Sequence, residues 1–148
     1  METLKQMLIR HEGKKLIPYR CRSGFLTVGI GHNIDANGLP NDVRNYMRQN
    51  GKITEEMVNK LYDIDIKKAT EGCKELYPNF ENFSEVRQMA LIDFVFNVGE
   101  ATAKKFISTN HYINSGDWEN AAKRLEKSLW YKQVGKRSKE IVGMIRNG

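Results

Sequence analysis

The stretch from residue 11 to residue 32, which reads HEGKKLIPYRCRSGFLTVGIGH, decides how this chain folds. Leu26, Val28 and Ile30 alternate with threonine and glycine, which is the period of a β-strand. A serine–glycine pair at positions 23 and 24 supplies a turn just before this strand. Residues 19–34 therefore predict a small, glycine-rich β-hairpin.

The hairpin brings several small or reactive side chains to one face. If the loop spans residues 23–25, Cys21 is expected opposite Thr27, with both side chains on the same face. Gly29 and Gly31 follow on that face, where glycine lets a bulky ligand approach the backbone. Taken singly, each of these residues also suits ordinary strand, turn or core packing.

Glu12 stands at the start of this stretch, at the end of a predicted helix. Leu4, Leu8 and Glu12 are spaced by four residues and share one face of that helix. A carboxylate on an apolar stripe is expected to face a partly desolvated cleft, which is the environment that a general acid needs.

The rest of the chain has mainly the period of helices. Three prolines and several glycines separate these segments. The segment from Ser84 to Val98 has almost no polar face and predicts a buried central helix. The fold class is therefore α+β and predominantly helical. Further helices are predicted at residues 41–50, 54–74, 102–106, 118–125 and 136–145.

Length and composition limit the functional classes. The chain has 148 residues, a formal net charge of +6 and 40% hydrophobic residues, which suits one globular domain. Its apolar runs are too short for a membrane span, and its first residues are not those of a signal peptide, so we expect a cytoplasmic product. The positive charge favours a polyanionic partner. The two cysteines form no disulfide framework, and we expect free thiols.

The order Glu-x8-Cys-x5-Thr, followed by GxGH, resembles the active-site segment of the phage lysozymes, glycoside hydrolase family 24. The resemblance continues at residues 90–100, 118–122, 128–131 and 135–137. It implies a lysozyme-like two-lobe fold with a small sheet lobe at about residues 13–53 and a connecting helix at about 54–74. The helical lobe would comprise residues 75–148 together with the N-terminal helix, residues 1–12.

The resemblance also implies a role for each matching residue. Glu12 would be the general acid, Cys21 and Thr27 would position or activate water, and His32 and Asp65 would form a structural ion pair. Arg137 would pair with the acid and orient it. No cofactor or metal is implied. The residues expected to contact the substrate are Gly31, Asn33, Phe96, Asn97, Trp130 and Arg137, although core packing explains Phe96 and Trp130 equally well.

Cys21 is the informative departure, because members of this family carry either aspartate or cysteine at this position. An ordinary thiol has a pKa of about 8.5 and is mostly neutral at pH 7. Two mechanisms stay open. In an inverting mechanism, Thr27 and Cys21 position or deprotonate water across a gap of roughly 6.5–9.5 Å from the acid. In a retaining mechanism the thiolate attacks the anomeric carbon. The presence of Thr27 favours the inverting mechanism.

The implied function is that of an endolysin, a muramidase that cuts the β-1,4 bond between N-acetylmuramic acid and N-acetylglucosamine. We expect a monomer that acts on peptidoglycan glycan strands, binds no nucleic acid and is not inserted in a membrane. It would stay in the host bacterial cytoplasm until a holin-type membrane lesion releases it.

Two other classes compete with this interpretation. A nucleic-acid-binding module would use a basic C-terminal surface with stacking aromatic side chains. A cysteine hydrolase would pair Cys21 with His32. The residues of the basic surface would be Trp130, Tyr131, Lys132, Lys136, Arg137, Lys139 and Arg146.

Overall fold

The computed structural model describes residues 1–148 and has an α+β fold, which confirms the fold class predicted from the sequence. The chain divides into two compact units, Met1–Asp65 and Ile66–Gly148. The only β-sheet belongs to the first unit, whereas the regular elements of the second unit are all helices. The lobe boundaries that the resemblance implies stay a prediction.

The first unit begins with the predicted helix, whose start is fixed by a capping box. The Thr3 hydroxyl accepts the Gln6 N–H at 3.1 Å, and the Gln6 side chain accepts the Thr3 N–H at 2.8 Å. Met7 and Leu8 are buried on the inner face of this helix. The elements of the unit are α1 (Leu4–Glu12), β1 (Lys15–Arg20), β2 (Leu26–Gly29), β3 (His32–Asn33), α2 (Ile34–Asn37), α3 (Asn41–Asn50) and the first half of α4 (Glu55–Leu76).

The sheet is larger than the predicted hairpin, because three antiparallel strands pair in the order β1–β2–β3. Strand β1 begins at Lys15 and contains Pro18, a residue that argues against a strand in sequence reasoning. Proline is tolerated here because β1 is an edge strand. A register irregularity between Lys15 and Tyr19 further obscures the alternation of this strand.

The strand register corrects the predicted pairing of Cys21. Tyr19, not Cys21, lies opposite Thr27. Cys21 follows β1, and its N–H donates to Phe25 O at 3.0 Å. The loop therefore spans residues 22–24, one residue earlier than the predicted loop at residues 23–25. Gly24 ends this three-residue loop with a positive φ of +88°, a conformation that glycine adopts readily. Cys21 and Thr27 still share a face, since Cys21 is two residues from Tyr19.

Helix α4 is the longest element, with 22 residues that belong partly to each unit. Its start is as predicted, because the Thr54 hydroxyl accepts the Met57 N–H at 3.1 Å and two glutamates occupy the first turn. It ends at Leu76, shortly before Pro78.

The second unit is built around the predicted buried helix, in which residues 90–95 are all buried. The Ser84 hydroxyl accepts the Arg87 N–H at 3.2 Å and caps this helix. Three differences from prediction occur: α6 begins earlier than residue 102, and α7 and α9 were not predicted. The helices are α5 (Glu85–Val98), α6 (Glu100–Lys104), α7 (Ile107–Asn114), α8 (Trp118–Glu126), α9 (Leu129–Val134) and α10 (Lys136–Asn147), preceded by the second half of α4 and a short 3-10 turn (Phe80–Asn82).

Candidate active site

Glu12 is the last residue of α1, and its half-buried side chain packs directly against the backbone of Gly31. A Cβ atom placed on Gly31 would lie 2.7 Å from the Glu12 carboxyl carbon and from its Oε1 atom. Gly31 also has φ +63°, which disfavours any other residue. The sequence suggested that this glycine admits a ligand to the backbone. In the structure the group that approaches it is the Glu12 side chain.

The Cys21 thiol lies in the turn after β1, where the Cys21 N–H donates to Phe25 O at 3.0 Å and the Cys21 carbonyl accepts the Gly24 N–H at 2.8 Å. Partial burial raises the pKa of this thiol, but the nearby N–H groups of Phe25, Ser23 and Gly24 and the polar side chain of Thr27 outweigh this effect. The net effect lowers the pKa of Cys21 below its ordinary value. Such a set of N–H groups stabilises an anion. The cysteine therefore has more thiolate character than its residue type alone predicts.

Thr27 is a buried residue of β2 with 4% exposure, and its hydroxyl connects the strand to the turn. Its Oγ1 atom donates its one proton to Phe25 O at 2.8 Å. A hydroxyl has one proton and two lone pairs, so acceptor capacity remains for a water molecule or a sugar hydroxyl.

Tyr19 is a member of this cluster for which the sequence suggested no role. Burial raises the pKa of its phenol, and the negative charges of Glu12 and then Cys21 raise it further. The Lys15 ammonium lies 4.7 Å from the centroid of the ring. Tyr19 lies two residues before Cys21 in the sequence, a spacing that puts both side chains on one face of a strand. Only the strand register shows that Tyr19 lies opposite Thr27.

His32 has partners on both ring nitrogens. Its Nδ1 atom lies 2.7 Å from Asp65 Oδ2, and its Nε2 atom lies 2.7 Å from Gly38 O. The imidazole is 4% exposed and links β3 to α4 and to the end of α2. Because both nitrogens are engaged with these partners, His32 is not placed to act as a base toward Cys21. The alternative of a cysteine hydrolase has no support in this arrangement.

In the second unit, Arg137 has a clear partner in the buried Asp93. The Arg137 Nε atom donates to Asp93 Oδ1 at 2.8 Å, and the Asp93 side chain is fully buried while that of Arg137 is 10% exposed. Removing one member of such a pair leaves an uncompensated buried charge, at a typical cost of about 3–5 kcal/mol. The family resemblance implies that Arg137 pairs with Glu12 and orients it, which stays a prediction. The sequence analysis did not predict the pairing with Asp93, although Asp93 is the one charged residue between positions 88 and 99.

The other predicted substrate contacts have structural roles that the sequence did not show. Trp130 is 8% exposed, and its Nε1 atom donates to Asn97 Oδ1 at 2.8 Å. Phe96 is half-buried near the same end of α5. Asn33 caps α2, since its Oδ1 atom accepts the Ala36 N–H at 2.9 Å. Whether these residues also contact substrate stays a prediction.

The basic surface proposed for nucleic acid is only partly available. Arg137 is paired with Asp93, and Arg146 forms ion pairs with Glu119 and Glu126. Trp130 is too buried to serve as a stacking platform. The structure therefore does not favour a nucleic-acid-binding module.

A glutamate at a helix end, a thiol in a turn and a threonine on a small sheet, in a chain that is otherwise helical, are the arrangement of a glycoside hydrolase of the lysozyme type. The chain matches the phage lysozyme family over residues 9–147 and belongs to that family. It is similar to the probable T4-type lysozymes 1 and 2 of Dictyostelium discoideum, with 28% and 29% identity over 100% of this chain and 96% of each relative. It also resembles part of the pre-baseplate central spike protein Gp5 of Enterobacteria phage T4, with 29% identity over 99% of this chain and 28% of that protein.

Proposed function

We propose that this lysozyme is a muramidase in which Glu12 protonates the glycosidic oxygen while Cys21 and Thr27 position or activate the attacking water. The bond cleaved is the β-1,4 linkage between N-acetylmuramic acid and N-acetylglucosamine, and the biological outcome is bacterial cell lysis. The observation that carries this proposal is the contact of the Glu12 side chain with Gly31, in the same compact unit as the Cys21–Thr27 turn.

Glu12 is suited to donate a proton because its position is fixed from two sides. The helix holds its backbone, and the Gly31 backbone limits where its carboxyl can move. A general acid must lie within hydrogen-bond reach of the leaving-group oxygen when the substrate is bound. A carboxyl group that is already restricted in the free enzyme loses less conformational entropy when it reaches that position.

Water activation is assigned to the pair formed by Thr27 and Cys21. The Thr27 hydroxyl retains acceptor capacity for a water proton, and the lowered pKa of Cys21 increases the thiolate fraction of the group beside it. In the inverting mechanism the water oxygen bonds to the anomeric carbon as the glycosidic bond breaks. The leaving oxygen takes the Glu12 proton, and the proton of the water passes to the Cys21–Thr27 pair. We favour this mechanism over direct thiolate attack, because the latter gives Thr27 no chemical role.

The chemistry of Cys21 predicts an ordered series of activities. Cys21→Asp is expected to keep a good fraction of activity, because a carboxylate with a pKa near 3.9 is ionised at neutral pH. Cys21→Ser is expected to lose most of it, roughly tenfold or more, because a serine hydroxyl is not ionised there. Initial rates of turbidity loss on purified peptidoglycan measure both. Equal rates for Cys21→Ser and the unmodified protein would exclude a chemical role for the thiol.

The pH dependence of thiol alkylation gives an independent prediction. Only the thiolate reacts, so a lowered pKa places the midpoint of the iodoacetamide rate profile of Cys21 below that of a free thiol such as N-acetylcysteine. Cys73 is a matched comparison, because it is fully buried and burial raises its pKa. We expect the Cys21→Ser variant to be unreactive in the native state. A Cys21 midpoint at or above that of the free thiol would contradict the prediction.

Product analysis tests the function itself. Digestion of purified sacculi, followed by borohydride reduction and mass spectrometry, is expected to give muropeptides that end in reduced N-acetylmuramic acid. Reduced N-acetylglucosamine ends or cleaved peptide cross-links would indicate a different hydrolase. NMR of the first-formed anomer distinguishes inversion from retention.

The route to the cell wall is also part of this proposal. No helix of the protein has the length and apolar character required to cross a bilayer. We propose that the enzyme accumulates in the host bacterial cytoplasm and reaches peptidoglycan through a holin-type lesion. Lysis of expressing cells that depends on a co-expressed holin, with enzyme retained in the cells without one, would support this route.

A further inference from the structure

The peptide group that joins Phe25 to Leu26 ends the Cys21 turn and is hydrogen-bonded on both sides. Its carbonyl oxygen accepts the Cys21 N–H at 3.0 Å and the Thr27 hydroxyl at 2.8 Å. Its N–H, which belongs to Leu26, donates to Asp35 Oδ2 at 2.8 Å. One peptide group therefore connects the two residues assigned to water activation with the carboxylate of Asp35.

Asp35 supplies an acceptor that the sheet does not provide. Strand β3 has only two residues and ends where Asn33 pairs with Thr27, so the preceding residue of β2, Leu26, has no strand partner on this side. The chain instead enters helix α2, whose N-cap is Asn33. Asp35 therefore stands in the first turn of this helix, where its carboxylate accepts the Leu26 N–H in place of a strand carbonyl.

Arg20 contacts the same turn from strand β1. Its Nη1 atom donates to Gly24 O at 3.0 Å and lies 3.5 Å from Asp35 Oδ2. The guanidinium thus lies between a carbonyl of the turn and the carboxylate on α2. Because both charged side chains are exposed, their ion pair contributes little to the free energy of unfolding. We therefore expect its main effect to be on the geometry of the turn.

The direction of the Thr27 hydroxyl proton depends on this peptide group. Because the one proton goes to Phe25 O, the lone pairs of the hydroxyl are left to accept a proton from water. A carboxylate bound to the N–H of a peptide group polarises it and strengthens the hydrogen bonds that its carbonyl accepts. If this peptide group rotates, the hydroxyl loses its acceptor, and its proton is free to point toward the water instead.

We propose that Asp35 is a positioning residue of the active site, which holds the Phe25–Leu26 peptide group and through it orients the Thr27 hydroxyl toward the attacking water. The inference rests on the proposed muramidase function for the role of Thr27. Asp35 does not touch the substrate in this arrangement. It orients a group that acts in the bond-breaking step, so its loss should lower kcat and leave KM unchanged.

Two substitutions of Asp35 test this role. Asp35→Ala removes the acceptor, whereas Asp35→Asn keeps an oxygen that can accept the Leu26 N–H. Initial rates over a range of sacculus concentrations give kcat and KM for each variant. We expect kcat to fall about tenfold in Asp35→Ala and less than about threefold in Asp35→Asn, with KM unchanged in both.

Asp42→Ala is the matched control for Asp35→Ala. Asp42 is also an exposed aspartate in the first turn of a helix of this unit, and its Oδ2 atom lies 2.8 Å from Lys60 Nζ. Its removal therefore costs a surface ion pair and a first-turn acid but leaves the turn intact. We expect its kcat to equal that of the unmodified protein.

Hydrogen exchange of the ¹⁵N-labelled chain tests the peptide group without reference to activity. In Asp35→Ala we expect exchange about tenfold faster at the Leu26 amide, which loses its acceptor, and at the Cys21 amide, whose acceptor is the Phe25 carbonyl. Exchange in helix α5 should be unchanged, which shows that the fold is intact.

Three outcomes overturn the inference: an unchanged kcat in Asp35→Ala, an equal loss in Asp42→Ala, or a lower kcat without faster exchange at Leu26 and Cys21. Failure of the proposed function is distinguishable, because the unmodified protein would then release no muramic acid ends from sacculi. Normal hydrolysis that does not respond to Asp35→Ala would overturn the positioning role alone.

Discussion

Glu12→Gln is expected to abolish measurable peptidoglycan hydrolysis, with a fall in kcat of about 10²–10⁴-fold. Glutamine has nearly the same volume as glutamate, so the contact with Gly31 is preserved while the donated proton is lost. Because the Glu12 side chain is half-buried at a helix end, we expect little change in the free energy of unfolding. Initial clearing rates on purified sacculi and thermal unfolding of the same preparations measure the two quantities.

The control for this substitution is Glu56→Gln, an exposed glutamate in the first turn of α4 in the same unit. We expect it to clear sacculi at the rate of the unmodified protein. If Glu12→Gln retained more than a tenth of that rate, Glu12 would not be the general acid, and the proposed function would lose its central residue.

Gly31→Ala is expected to impair both stability and activity. A residue with a side chain at φ +63° is strained, which lowers the free energy of unfolding by about 1–3 kcal/mol. The new methyl group would stand 2.7 Å from the Glu12 carboxyl, so that carboxyl must move. Since a displacement near 1 Å at a reacting group costs roughly 10²-fold in rate, activity should fall by about that factor. Denaturant unfolding and clearing rates measure both effects.

Gly38→Ala separates backbone strain from the steric contact. Gly38 has φ +66°, and a Cβ atom there would meet nothing within 4 Å. We expect Gly38→Ala to lose stability but to keep its hydrolytic rate. In a Glu12→Ala background, where the contact is absent, the stability cost of Gly31→Ala should approach that of Gly38→Ala. Equal effects of Gly31→Ala and Gly38→Ala on the rate would show that the Glu12 contact is unimportant.

Helices with a clear apolar period and a polar cap could be predicted from the sequence. Thr54 and Ser84 marked the starts of α4 and α5 because each hydroxyl accepts an N–H three residues later. Helices α7 and α9 were missed for physical reasons. Helix α7 begins without a cap, and α9 has only six residues, too few to display a helical period.

The sequence located the Glu12 segment but not its geometry. The spacing of Glu12, Cys21 and Thr27 indicated a family, whereas the cross-strand register depends on which glycine adopts a left-handed conformation. Because Gly24 ends the turn, the residue opposite Thr27 is Tyr19 and not Cys21, which the sequence had predicted.

Partners far apart in sequence were also beyond prediction. The pairing of Asp93 with Arg137 joins residues 44 positions apart, and the packing of Gly31 on Glu12 joins a strand end to a helix end. Such contacts follow from tertiary packing, which no local period encodes.

The contrast between the two free cysteines makes the protein suitable for site-directed ligand discovery without mutation. One thiol, that of Cys21, is partly accessible and lies near Tyr19, whereas the other, that of Cys73, is enclosed in the core of the second unit. Libraries of disulfide-bearing sugar fragments, equilibrated with the native protein under mild reduction, should therefore be captured at a single position. Intact-mass spectrometry would then rank fragments by their affinity for the surface around that thiol.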